Sequence, residues 1–421
     1  MKNQIELFIY NLVKDNPKLK NFIRDIYQNI LSLKPVTSVE SNYKITAREG
    51  YFFGFHDKCP WSADGEMLLA HRIITNNRVP SKNDEVDIGY FIGNNYETFH
   101  KISSTKAWNW AQGSMLQWVG KSNNIVLNDY GQNNKEHYAK IIDTNGNVQK
   151  KLPKAIGAIS AEGNLALSYC FERLRKGMPG YGYANGIDPD ADVMMPSRKG
   201  SGLHIINVDT SNSSELFTVA DIASINSEKS MDGAFHYFTH CLFSPSGKRF
   251  VFFHRWLLNE NQRWTRMLSC SLDGRDLHVF PTTGMVSHIA WKDDTHILAY
   301  SRTSKYGDKY YLFKDKTNEY EIIGLETLNS DGHMQFSPNK RNMLTDTYTD
   351  RFRQQYLMIY DTIDKKKHNI AKLYSPIHFR YKYASCDLHP RWNRDGKMVC
   401  FDATYTGKRS LCTIHLYNKF V

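Results

Sequence analysis

The chain has 421 residues, 13% of them aromatic, and a formal net charge of +11. That length can bury a large core, and the many aromatic residues and short apolar runs exclude a disordered polypeptide. The basic residues are scattered, apart from Lys365-Lys366-Lys367. The charge suggests an anionic partner, an acidic polysaccharide, nucleic acid or a membrane surface, and the lack of a dense basic tract makes an acidic polysaccharide or oligosaccharide at least as good a reading as nucleic acid.

Two helical periodicities open the chain. Ile5, Phe8, Ile9, Leu12 and Val13 form the first, and Leu19, Phe22, Ile23, Ile26, Ile30 and Leu33 the second, parted by Asp15-Asn16-Pro17. Lys14, Lys18, Lys20 and Arg24 give the pair a basic edge. It reads as a cap on the main domain, or as a peripheral membrane contact through residues 1–34. Residues 1–38 are therefore expected to be a helical extension with a linker, and 39–421 the main domain. The N-terminus shows no continuous apolar segment with a cleavage site, and no apolar run is long enough to span a bilayer. Seven cysteines (59, 170, 241, 270, 386, 400 and 412) include no C-x-x-C pair. Free thiols in a cytoplasmic protein are expected.

After residue 40 the pattern changes to short strands and turns, in seven degenerate copies of an apolar strand, a turn and a second apolar strand. Their anchors are Trp61, Trp118, Ile159, Phe243, Trp291, Phe336 and Trp392. Most intervals suit a propeller blade of about 40–45 residues. The third interval is much longer, and its Gly/Pro/Asp-rich part, 177–202, reads as a loop over one face. Too few residues follow Trp392 for a whole blade, so the extended stretch 42–48 is expected to supply the outer strand. The fold class is all-β: a seven-bladed propeller closed by an N-terminal strand, preceded by a short helical segment.

Four histidines occupy one phase of this repeat, each three residues before its anchor: His240, His288, His333 and His389. Equal phase in equivalent blades brings them to one end of the channel. Second strands end at that same face, which adds His71, Arg72, Asn128, Tyr169, Arg173, His254, Arg255, Asp346 and Asp402. The segment 169–183 brings Arg175, Tyr181 and Tyr183. Imidazoles converging from separate strands suit a divalent metal such as manganese or zinc. Guanidiniums suit a carboxylate, and phenols suit sugar stacking or proton exchange.

The copies His240…Phe243-Ser-Pro-Ser-Gly-Lys-Arg, His333…Phe336-Ser-Pro and His389-Pro-Arg-Trp-Asn-Arg-Asp-Gly-Lys-Met-Val-Cys-Phe resemble the blade starts of oligogalacturonate lyases, and more distantly those of ulvan lyases. The resemblance covers most of residues 50–417. It implies cleavage of a uronate-containing glycan by β-elimination. His288, His333 and His389, with Gln335, would then hold the metal. His240 or Tyr169 would be the base, Arg173 or Arg255 would neutralise the carboxylate, and His254 would stand beside them. Tyr181, Tyr183, Arg175, His71, Arg72, Asn128 and Arg391 would bind substrate. One departure stands out: the family places two histidines close together in its last metal-binding blade, whereas Pro390 and Arg391 follow His389 here. A metal-free site neutralised by arginine is the corresponding alternative. Two other functions compete: a non-catalytic propeller binding acidic glycan or protein in polysaccharide assembly, and a hydrolase using Asp346 and Asp402.

Overall fold

The computed structural model describes residues 37–420 apart from 76, 132, 134, 198–200 and 381–383, together with positions 23, 26, 28 and 29. Most of the two-helix segment therefore lies outside the described residues. Gln28 is inside them, and its side-chain amide donates to the Arg351 carbonyl (3.0 Å).

Seven antiparallel sheets make seven blades, each with its first strand innermost. Blade one comprises Tyr51–Phe52, Leu68–Arg72, Val86–Ile92 and Thr98–Thr105. Blade two runs from Gln117–Trp118 to Val148–Leu152, and blade three from Ala158–Ile159 to Ser213–Phe217. Blade four runs from Phe235–Phe243 to His278–Val279, and blade five from Val286–Trp291 to Tyr320–Ile323. Blade six spans Gln335–Phe336 to Lys366–Tyr374 and gains a fifth strand, Val39–Ser41. Blade seven has only three strands of its own: Arg391–Trp392, Met398–Ala403 and Ser410–His415. Its outer strand is Ile45–Glu49, paired antiparallel to Ser410–His415, so segments from opposite ends of the chain share one sheet.

The anchors show why this repeat folds as it does. Six of them end an inner strand and pair with the first residues of the next, as Trp118 does with Ile125, Phe243 with Phe250, Phe336 with Met343 and Trp392 with Val399; Trp61 instead lies beyond the inner strand of its blade and bridges Leu68. All seven except Ile159 are buried aromatic side chains. They fill the wedge between blades, and burying one contributes about 2–3 kcal/mol. The long third interval contains the helix Phe171–Gly177, the loop that follows it to Leu203, and a second helix, Val219–Ser224, that leads towards blade four. All seven cysteines are free thiols.

Candidate active site

Blades four to seven each deliver one of the phased histidines to the hub. His240 sits where the register of the Phe235–Phe243 strand slips between Thr239 and Leu242. Both His240 (φ 56°) and His389 (φ 45°) adopt the left-handed backbone that residues with a Cβ seldom use. Such bulges and strained residues re-aim a side chain, here from the pleat of the sheet towards the axis.

Blade one adds a fifth imidazole, His56. It lies five residues before Trp61, out of phase with the others, because the chain leaves the strand at Phe52 and turns at Gly54. Gly54 has φ 116° and packs against the backbone of Gln112, leaving no room for a Cβ. The segment is fixed at nearly every peptide. Asp402 accepts from the Phe53 and Gly54 amides (2.9 and 3.0 Å), and Arg391 donates to the carbonyls of Gly54 and Phe55 and to Asp402.

Three of these imidazoles and His56 are held by Nδ1. His288 Nδ1 faces Asp331 (3.2 Å), and His333 Nδ1 donates to both oxygens of Asp346 (2.9 and 3.0 Å). His389 Nδ1 donates to the Gly54 carbonyl and His56 Nδ1 to that of Met334, both at 2.9 Å. Anchoring Nδ1–H in this way leaves Nε2 as the lone-pair nitrogen. Nε2 of His56, His333 and His389 is buried and has no hydrogen-bond partner among the described residues. Burial holds all three imidazoles well below the usual histidine range, so they are neutral. Ring centres lie 4.0 Å apart for His288–His333 and 4.2 Å for His333–His389. Ligand atoms of His333, Asp387 and His389 all fall within 4.8 Å of one another.

Phe55 divides the hub. Its ring lies 5.0 Å from His389 and 5.1 Å from His240, with His288 and His333 at 6.2 Å. His240 therefore stands apart, with its own companions. Its ring stacks on Phe253 (5.1 Å), over which the Arg255 guanidinium also lies (5.4 Å), and Tyr181 is 6.0 Å away. Arg255 is nearly buried and weakly engaged: it reaches the Met178 sulfur at 3.6 Å and the Val286 carbonyl at 3.4 Å and neighbours the Tyr237 phenol, and its Nε has no partner among the described residues. A cleft of about 430 Å³ opens beside Tyr181 and His389, lined also by Trp110, Tyr348, Arg353, Asp387 and Arg409; His240 and Arg255 are not part of its lining. Met178–Tyr181, at the start of the expected loop insertion, form part of its wall.

Several expected site residues are placed elsewhere. The Arg173 guanidinium is wholly buried, donating to the carbonyls of His236, Asp190, Val193 and Met194 and pairing with Asp188 (3.2 Å). It ties the insertion to blade four and has no donor left for a substrate. Arg391 is the clamp on 53–55 rather than a sugar contact. Arg72 pairs with Asp87 at the side of blade one, and Arg175 donates to the Ala184 carbonyl. His71 is buried between Phe52 and Ser114. Asn128 bonds Ile156 and the Tyr183 hydroxyl, while Tyr183 stacks on Phe171 (4.7 Å). His254 bonds His236 and Arg266 inside blade four. Gln335 turns its carbonyl oxygen to the Trp392 amide (2.5 Å), which removes it from the ligand set. Tyr169 is buried beside Cys241, and burial raises its phenol well above the usual range. Asp346 and Asp402 are occupied with backbone amides and do not flank an open space.

Four contributors escaped the sequence reading: His56, Asp331, Tyr348 and Asp387. A signal for two of them is present in the repeat, since Asp331-Gly-His333 and Asp387-Leu-His389 share an Asp-x-His pattern. The carboxylate that accompanies His389 thus lies two residues before it, not in the Pro390-Arg391 that follows.

No protein-family model matches the chain, and neither does any curated protein sequence. Solved structures do match. An oligogalacturonate lyase in complex with manganese superposes with a TM-score of 0.61 at 12% identity, covering 91% of this chain and 96% of that one. An oligogalacturonate lyase from Vibrio parahaemolyticus gives 0.60 at 11%, covering 91% and 99%. The chain shares the fold of the oligogalacturonate lyases. Within that oligogalacturonate lyase fold, the buried, partnerless Nε2 atoms of His333 and His389 beside Asp387 form a donor set that suits a divalent metal.

Proposed function

We propose that the protein is a polysaccharide lyase that cleaves a uronate-containing acidic glycan by β-elimination in the cleft at the channel mouth. The observation that carries this reading is the partition of the hub by Phe55. The His333 and His389 imidazoles, with bare Nε2 atoms, stand at one part of its edge and His240 with Arg255 at another, while Tyr181, Asp387 and His389 border one cleft beside them.

β-Elimination has two requirements: neutralisation of the uronate carboxylate, so that C5 becomes acidic, and a base within reach of that proton. Arg255 meets the first. Its guanidinium is desolvated and holds only weak partners, so a carboxylate gains charge-assisted bonds there. His240 meets the second. Burial, and next the Arg255 charge, hold its imidazole well below the usual range, keeping it neutral and able to accept a proton. The C5 proton passes to His240 and its electron pair forms the C4–C5 double bond. The C4–O bond then breaks, and the departing oxygen takes a proton from Tyr181 or water. A divalent metal, manganese or zinc, would be held by His333, His389 and Asp387 with His288 beside them; when bound it adds electrostatic neutralisation of the carboxylate. Tyr348, whose hydroxyl lies 3.5 Å from His288 Nε2, borders the cleft where a sugar ring would stack.

The test is ultraviolet absorbance during incubation with oligogalacturonate and other acidic glycans. Growth of the unsaturated-uronate band, lost in His240→Ala, supports the reading. Binding without that band would make the protein a non-catalytic glycan-binding propeller, and new reducing ends without it would make it a hydrolase.

A further inference from the structure

We propose that His56 is an additional ligand of the divalent metal. The inference rests on the metal reading above and extends it to a residue that the repeat pattern does not mark.

The first ground is topological. Blades four, five, six and seven each send one histidine to the hub, and blade one sends His56. Five neighbouring blades thus each contribute an imidazole, and the series runs across the seam where Ile45–Glu49 closes the ring. The second ground is preparation of the side chain. His56 is 1% exposed, its Nδ1 donates to the Met334 carbonyl at 2.9 Å, and its Nε2 has no partner among the described residues. A bare polar nitrogen at such depth is destabilising until something binds it. The fold tolerates that cost while a buried arginine–carboxylate pair, Arg391–Asp402, fixes the peptides just before it. The tautomer is the one that His333 and His389 also adopt.

The third ground is distance. Two imidazoles sharing one ion through nitrogens at about 2.0–2.2 Å have ring centres about 4.5–6.5 Å apart. His56 lies 5.4 Å from His333, 5.7 Å from His288 and 6.3 Å from His389, ring centre to ring centre; it stands outside the 4.8 Å group of His333, Asp387 and His389, so its ring turns inward to reach the ion they share. The His288–His333 and His333–His389 pairs, at 4.0 and 4.2 Å, lie just short of that window.

The experiment uses the full chain, stripped with a chelator and titrated with Mn(II), free ion being followed by electron paramagnetic resonance. A parallel Co(II) titration is followed by visible absorption. The wild-type chain is expected to bind one ion, and His389→Ala to abolish binding. His56→Ala is expected to weaken binding at least about tenfold and to shift the Co(II) bands. His56→Gln, which keeps an amide donor for Met334 and offers a carbonyl oxygen, is expected to recover part of the affinity with a spectrum of its own. Circular dichroism and the unfolding midpoint of the ion-free chains establish that each variant is folded. If His56→Ala does not fold, His56→Gln decides alone. Wild-type affinity and an unchanged Co(II) spectrum in the folded His56 variants overturn the assignment. A wild-type chain that binds no ion overturns the metal reading itself, and this inference with it.

Discussion

Replacing Arg391 with methionine tests the clamp on which the hub depends. The guanidinium is completely buried and donates to the carbonyls of Gly54 and Phe55 and to Asp402. Methionine fills similar volume but leaves the Asp402 carboxylate with only the Phe53 and Gly54 amides. Removing one partner of such a buried pair costs about 3–5 kcal/mol, chiefly through the uncompensated charge left behind. An unfolding entropy of about 2.1 cal/mol/K per residue gives this chain about 0.9 kcal/mol/K, so the melting temperature should fall by about 3–6 °C. Calorimetry of Arg391→Met, Asp402→Asn and the double variant is the assay. The double variant should be less damaged than the sum of the two singles, because it leaves no unpaired charge. Arg391→Lys should fall between wild type and methionine, since an ammonium restores the charge but not the fork. A melting temperature unchanged in Arg391→Met, or strictly additive losses, would refute the reasoning.

Other outcomes follow from the same geometry. His240→Gln should lower turnover at least about 100-fold while leaving metal affinity within a factor of about two, because Phe55 separates the two groups; equilibrium metal titration beside activity checks both. Arg255→Gln should lower kcat/KM about 100-fold or more on a uronate and much less on its methyl ester, which carries no charge to bind. Burial lowers the His71 imidazole from 6.5 to about 3, so the folded state binds the neutral ring. Its contribution should be complete above pH 6.5 and fade as pH falls from there towards 3, by up to about 5 kcal/mol. His71→Gln should flatten that acid limb in urea unfolding measured across pH. Arg173→Met should speed limited proteolysis within 185–202 with the propeller left folded, since the arginine fastens that loop.

The blades were readable because a repeated anchor marks each inner strand, and the phased histidines because equal phase becomes equal height. Second-strand ends were misleading. Side chains alternate along a strand, so neighbours such as His71 and Arg72 face a blade interface and a blade side rather than the channel. A guanidinium reads the same in sequence whether it awaits a substrate or is saturated by carbonyls; only the bonds around Arg173, Arg255 and Arg391 tell them apart. His56 escaped notice because the turn at Gly54, not the repeat, sets its position.

Ile45–Glu49 joins Ser410–His415 in blade seven; His56 follows the first of these segments, His389 precedes the second, and their rings lie 6.3 Å apart. Anything that grips both acts as a buckle on the belt. Slow deuterium uptake in the latch strand of the loaded protein, and faster uptake in the bare one, would be its signature.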